Sequence, residues 1–164
     1  MLKRTKRVLA VSLFVFCFFL IEGVKAMPNN TEIKLPEPVR KGTCSVEEAI
    51  QKRKSVRDFS DRSLTMEEVS KILWAAGGIT VDGVTGPTRA YPSAGALYPH
   101  EIYLVAGKVN SLEAGIYRYN WQDNSLVLIK KGDARAALSA AAAGQGMIIE
   151  APITLVVTAS VAKV

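Results

Sequence analysis

Two apolar, β-branched runs constrain this chain most. Residues 101–106 (EIYLVA) and 152–159 (PITLVVTA) show almost no polar alternation. A strand with one wet face alternates apolar and polar residues, so these runs read as buried strands. Residues 115–119 and 125–130 add a hairpin, closed across 120–124 by polar turn residues. Helices lie between the strands. Ser45-Val46-Glu47-Glu48 has capping-box spacing and predicts a helix to about residue 54. Thr65-Met66-Glu67-Glu68 repeats the device, and Val69, Ile72, Leu73 and Ala76 follow at helical spacing until Gly77. Asp133 is a candidate cap for an Ala-rich helix that runs to Ala143 and is closed by Gly144. Residues 77–92 are rich in Gly, Thr and Pro and fit neither period, so they read as a long loop of the functional or mobile kind. Helices alternating with strands around one hairpin place the chain in the α+β or mixed α/β class.

The N-terminus has a different character. Lys3, Arg4, Lys6 and Arg7 precede a 14-residue apolar run (8–21), and Val24-Lys25-Ala26 supplies small residues for cleavage. That is the layout of a secretory signal peptide, and the run is short of the about 20 residues needed to span a bilayer. Residues 1–26 are therefore expected to direct export to the periplasm or the extracellular space. The alternative is an N-terminal membrane anchor, and membrane contact is expected only if the segment is retained. Residues 27–44, with Pro36, Pro38 and Gly42, read as a linker or extended arm, and 45–164 as the domain.

Removing residues 1–26 takes away five basic residues and one acid, so the formal charge drops by four, from +6 to +2. The basic balance then belongs mostly to the targeting segment, which argues against a nucleic-acid partner. Cys44 remains as a lone cysteine and His100 as a lone histidine. That excludes an internal disulfide in the mature chain and the usual structural zinc sets. Asn29-Asn30-Thr31 matches the glycosylation pattern.

Two constellations carry chemistry. In Arg53-Lys54-Ser55-Val56-Arg57-Asp58-Phe59, the residues Arg53, Ser55 and Arg57 alternate. On an extended segment they share a face, and two guanidinium groups with a hydroxyl suit a phosphate. Phe59, on the same alternation, is a candidate core anchor. The other reading is a solvated basic helix end. The second constellation is 89–99 (RAYPSAGALYP). Pro92, Ser93, Ala94 and Gly95 bring small residues and backbone N–H groups within reach of a flat ligand. The other reading is a simple turn into the following strand.

Taken in order, RKSVRDF (53–59), ILWAAGGIT (72–80), RAYPSAGALYPHEIYLV (89–105) and EAGIYRYN (113–120) resemble the nitroreductase superfamily, in particular its SagB-type, thiazole/oxazole-dehydrogenase-like branch. The resemblance covers about residues 45–160. It implies an α+β, nitroreductase-like fold that binds FMN at a homodimer interface. Arg53, Ser55 and Arg57 would hold the FMN phosphate and ribityl chain, and Pro92, Ser93, Ala94 and Gly95 would pass along the flavin ring. It further implies hydride transfer to or from a small-molecule or peptide substrate, with no metal and no assigned catalytic side chain. Tyr91 and Tyr98 are candidates for pocket or core alike, and Gln145 is read as structural. Family members usually continue into a long helix and a Gly-rich flavin segment, so a chain ending at Val164 is expected to be an incomplete domain. The alternative function is a non-catalytic exported fragment that binds flavin or a partner.

Overall fold

The 101–106 run becomes β4 (His100–Ala106), flanked on both sides in a five-stranded sheet. The computed structural model describes residues 31–83 and 86–160. The expected targeting segment, Asn29 and Asn30 lie outside the described residues. The sheet order is β1-β6-β5-β4-β7, with β1 Glu32–Lys34, β5 Gly115–Asn120, β6 Ser125–Lys131 and β7 Ile153–Ala159. Every pairing in it is antiparallel. Leu104, at the centre, faces Tyr117 of β5 and Leu155 of β7.

The helix after Thr65 is α2 (Met66–Gly77); a shorter one, α1 (Val46–Lys52), precedes it. The Thr65 hydroxyl accepts the Glu68 N–H at 3.3 Å, and the Glu68 carboxylate accepts the Thr65 N–H at 2.9 Å. Both halves of the capping box are therefore formed. At α1 only the first half forms: the Ser45 hydroxyl accepts the Glu48 N–H, while the Glu48 carboxylate turns to Lys52 one turn on. The stripe that α2 buries is Val69, Ser70, Leu73 and Gly77. Its Val69 and Leu73 join Leu104, Tyr117, Tyr119 and Leu126 in one apolar cluster. Leu73, Leu104 and Leu126 are completely enclosed, which is worth about 1.5–3 kcal/mol per side chain. Ser70 enters this stripe where Ile72 was expected. Its hydroxyl donates to the Pro36 carbonyl and accepts from Asn124 Nδ2 at 3.2 Å, so its burial leaves no polar atom unpaired.

Several expectations change. Residues 77–92 are not a plain loop: β2 (Ile79–Gly83) and β3 (Gly86–Arg89) form a two-stranded antiparallel ribbon. Gly86, the first residue of β3, takes a positive φ of 105°, and the Thr80 and Thr88 hydroxyls bond across the ribbon at 3.1 Å. Residues 32–34, read as arm, add strand β1 beside β6, and Leu35 enters the core. The 152–159 run is not enclosed. β7 is an edge strand, and Val157 keeps 57% of its surface exposed. Phe59 does not anchor the core; it is 43% exposed on a segment without regular structure. The Ala-rich helix is α3 (Arg135–Ala141), shorter than expected, with Ala134 as its cap. Asp133 acts one residue earlier. Its carboxylate accepts the Arg135 N–H at 3.0 Å and pairs with the Arg135 guanidinium. A one-turn helix, α4 (Met147–Glu150), leads to β7.

Arg62 and then the Thr65 N–H hold the Glu68 carboxyl down at a pKa of about 2, from a usual 4.5. A carboxyl depressed by folding stabilises above its unfolded pKa, and that contribution disappears as pH falls toward the folded value. Thr65→Ala is expected to lower stability by about 0.5–2 kcal/mol in urea unfolding. Glu68→Gln is expected to flatten the acid dependence of stability between pH 4.5 and 2. An unchanged acid limb in that variant would show that the box does not act through this carboxylate.

Candidate functional site

The first segment leaves α1 at Arg53, whose φ and ψ of −60° and 121° end the helix. Residues 53–60 then run exposed and without regular pairing. Among the described residues, the side chains of Arg53, Ser55 and Arg57 make no hydrogen bond or ion pair. Arg57 and Asp58 line an open groove of about 350 Å³ with Gln145, Gly146, Met147 and Glu150. The connection between α3 and α4 that carries Gln145 is thus the wall beside Arg57, which gives that glutamine a place at the groove.

The second segment is a tight turn. Ala94–Ala96 form one turn of 3₁₀ helix, with Gly95 at φ 59°. Ala96 (φ 54°) and Tyr98 (φ 43°) are also left-handed, a conformation that costs non-glycine residues about 1–2 kcal/mol each. A Cβ on Gly95 would meet nothing nearer than Leu97 Cγ at 3.7 Å, so backbone angle and not crowding calls for glycine there. The Ser93 hydroxyl accepts the Tyr98 N–H at 2.9 Å and closes the turn. Pro92, Ala94 and Gly95 are exposed. Among the described residues, the Ala94 and Gly95 N–H groups have no acceptor. Two uncommitted amide donors on an exposed small-residue backbone suit the polar edge of a flat heterocycle. The structure does not join this turn to 53–57: among the described residues no hydrogen bond or ion pair links them.

A third feature was not foreseen. Arg89, at the end of β3, is 6% exposed. Its Nε donates to the Gly77 carbonyl at 2.7 Å. Its guanidinium carbon lies 4.8 Å from the ring centres of Tyr91 and Trp121 and 5.5 Å from that of Tyr98. Its backbone N–H donates to the Tyr98 hydroxyl at 3.4 Å. Nη1 is buried with no acceptor, and among the described residues Arg89 forms no ion pair. Burial pushes the guanidinium pKa below its usual value, an effect opposed by Tyr91, Tyr119, Glu101 and Tyr98. The guanidinium stays charged nonetheless. Tyr91 also meets His100 edge-on at 5.3 Å. The signal in the sequence was an arginine two residues before the first tyrosine of RAYPSAGALYP, but Trp121 comes from the distant β5–β6 turn.

A second groove, about 400 Å³, lies between the arm, α2 and that turn, with Glu37, Arg40, Trp74, Tyr119, Trp121 and Asp123 on its walls. Trp74 Nε1 is already committed to the Ile79 carbonyl at 2.8 Å. Among the described residues no cluster of His, Cys, Asp and Glu is placed to hold a metal ion. Nor is any described helix long and apolar enough to cross a membrane.

An α+β domain with an antiparallel sheet, a basic segment after its first helix and a small-residue turn before its central strand matches a known class. The sequence model of the nitroreductase family matches residues 50–164. The chain belongs to the nitroreductase family. It is 37% identical over 134 residues to a nitroreductase-family protein of Methanocaldococcus jannaschii, a match covering 82% of this chain and 65% of that one. A nitroreductase-type crystal structure from Ralstonia eutropha aligns with a TM-score of 0.64 and 30% identity over 78% of this chain and 55% of that one. One from Anabaena variabilis aligns with a TM-score of 0.53 and 27% identity, over 60% of this chain and 21% of that one. The chain therefore spans 65% or less of the length of these relatives.

Gly77 packs closely against the Arg89 side chain. A Cβ there would stand 2.6 Å from Ile102 Cδ1, 2.8 Å from Arg89 Nη2 and 3.1 Å from Tyr91 Cε1. Gly77→Ala is expected to destabilise by about 1–3 kcal/mol through overpacking, despite alanine's better helix propensity. Thermal unfolding tests this, and an unchanged or higher Tm would contradict the packing described.

Proposed function

We propose that this chain carries the phosphate-side and ring-side contacts of an FMN-dependent oxidoreductase of the SagB-like branch. Family membership supports a flavin-dependent oxidoreductase in general. The finer reading rests on one observation: Arg53, Ser55 and Arg57 project from an exposed segment and, among the described residues, their side chains have no hydrogen-bond or ion-pair partner. An arginine pair that forms no ion pair among the described residues is free to meet an external anion, and forked guanidinium donors fit a phosphate. In this reading Arg53, Ser55 and Arg57 grip the FMN phosphate and ribityl chain. Pro92, Ser93, Ala94 and Gly95 lie along the ring, with the Ala94 and Gly95 N–H groups offered to its polar edge. The Ser93 hydroxyl, spent on Tyr98, shapes the turn and leaves the binding to the backbone. When bound, FMN supplies hydride transfer, and the protein supplies position and electrostatics.

The substrate class proposed is a small molecule or a peptide, and the assembly a homodimer, as members of the family are generally dimeric. Residues 1–26 are proposed to direct export. A second reading, a non-catalytic exported fragment that binds flavin or a partner, is favoured by the lack of any bond joining the two segments among the described residues. Oxidation of reduced nicotinamide with an artificial acceptor separates the two: the enzymatic reading requires turnover above free FMN.

Losing a charge-assisted hydrogen bond costs about 1.5–3 kcal/mol, which is roughly a 10- to 150-fold weaker Kd. Arg53→Ala and Arg57→Ala are each expected to weaken FMN binding by that factor in a flavin fluorescence titration, with folding unchanged. Wild-type affinity in both variants would remove the basic segment from the flavin site.

A further inference from the structure

We infer that Arg89 is the positioning residue of the 92–98 turn, setting the backbone on which a flat ligand would lie. The inference rests on the proposed flavin site for the ligand's identity, but not for the architecture.

A buried cation with no ion-paired carboxylate among the described residues is costly to keep even with the charge of Glu101 in its favour, so its retention demands interactions that no apolar residue of the same length supplies. The Arg89 side chain makes them with three parts of the fold at once. Its Nε ties the C-terminal carbonyl of α2 at Gly77. Its guanidinium touches Tyr91 and Tyr98, which bracket the turn, and Trp121 from the β5–β6 turn. The Arg89 backbone N–H also meets the Tyr98 hydroxyl, a bond that any residue but proline would keep, so the role of the side chain rests on the guanidinium contacts. A planar guanidinium can meet aromatic faces and keep an in-plane hydrogen bond; an ammonium cannot match that geometry.

The turn needs such a holder. Gly95, Ala96 and Tyr98 all take positive φ, and two of the three are not glycine. Left to themselves, these residues prefer other conformations, so surrounding contacts must impose this one. Within the turn, the side-chain bond that does so is Ser93 to the Tyr98 N–H. The Tyr91 and Tyr98 rings, 5.7 Å apart and edge-on, are the other clamp, and Arg89 packs against both. Gly77 has no room for a methyl group beside Arg89 Nη2, which shows how closely this assembly is fitted.

The test compares wild type, Arg89→Met and Arg89→Lys in the full chain. Backbone hydrogen exchange is read without flavin. Arg89→Met is expected to speed exchange at the Tyr98 N–H about tenfold, equivalent to about 1.4 kcal/mol of local opening, while the β4 and β5 amides keep their protection. Arg89→Lys, keeping the charge but not the fork, is expected to fall between the two, and it carries the comparison if Arg89→Met does not fold. With FMN added, the fluorescence of the bound flavin is expected to rise toward that of free FMN in Arg89→Met, with a smaller loss of affinity than Arg57→Ala produces. Unchanged protection at Tyr98, or equal loosening of every strand amide, overturns the inference and leaves Arg89 a general stabiliser. If wild type binds no FMN, the flavin reading falls, while the exchange result still decides the role of Arg89.

Discussion

The stripe of Val69, Ser70, Leu73 and Gly77 on α2, whose Val69 and Leu73 lie in the same enclosed cluster as residues of β4, β5 and β6, is the constraint from which the rest follows. It fixes which face of the sheet is covered and where the helix must stop. Stopping at Gly77 puts a free carbonyl beside Arg89, and Gly78 turns the chain into the β2–β3 ribbon. The ribbon returns the chain to the sheet through Arg89, the 92–98 turn and β4. The candidate ring-side surface is therefore a by-product of how a helix end is joined to a central strand.

Charge distribution follows the same logic. The formed ion pairs, such as Arg62 with Glu68 and Lys108 with Asp61, sit on the surface, where they add little to stability. Arg135 folds onto the adjacent Asp133 and the Ala151 carbonyl, and so fastens α3 to the approach to β7. Among the described residues Arg53 and Arg57 differ from all of these in forming no ion pair or side-chain hydrogen bond, and Arg89 differs in packing against rings while forming no ion pair, with the charge of Glu101 acting on it as well.

Local chemistry was legible in the sequence; long-range packing was not. The caps at Ser45 and Thr65 were readable because their bonds span three residues. Strand β4 and the β5–β6 hairpin were readable because periodicity and turn residues agree. The ribbon at 79–89 was hidden by Gly, Pro and Thr, which demote a strand in any pattern, although a two-stranded ribbon tolerates them. Phe59 was placed inward by alternation, but its segment never joins a sheet, so alternation has no face to point to. The edge position of β7 depends on which strands lie beside it, and composition says nothing of that. At the site, 53–57 and 92–95 were visible as motifs, whereas the Arg89 cage requires Trp121 from more than thirty residues away.

Strand β1 is small, yet much depends on it. The Leu35 N–H donates to the Asn124 carbonyl, and the Pro36 carbonyl accepts from both Ser70 and Asn124. Asn124 in turn accepts from the Tyr119 hydroxyl, whose burial lifts its pKa to about 12. A shortened version of the protein that begins at the first helix would look like a tidy boundary. It would instead unroof Leu35's niche, strip an acceptor from the buried Ser70 hydroxyl and the half-buried Asn124 amide, and unmoor the β5–β6 turn that also brings Trp121 to Arg89.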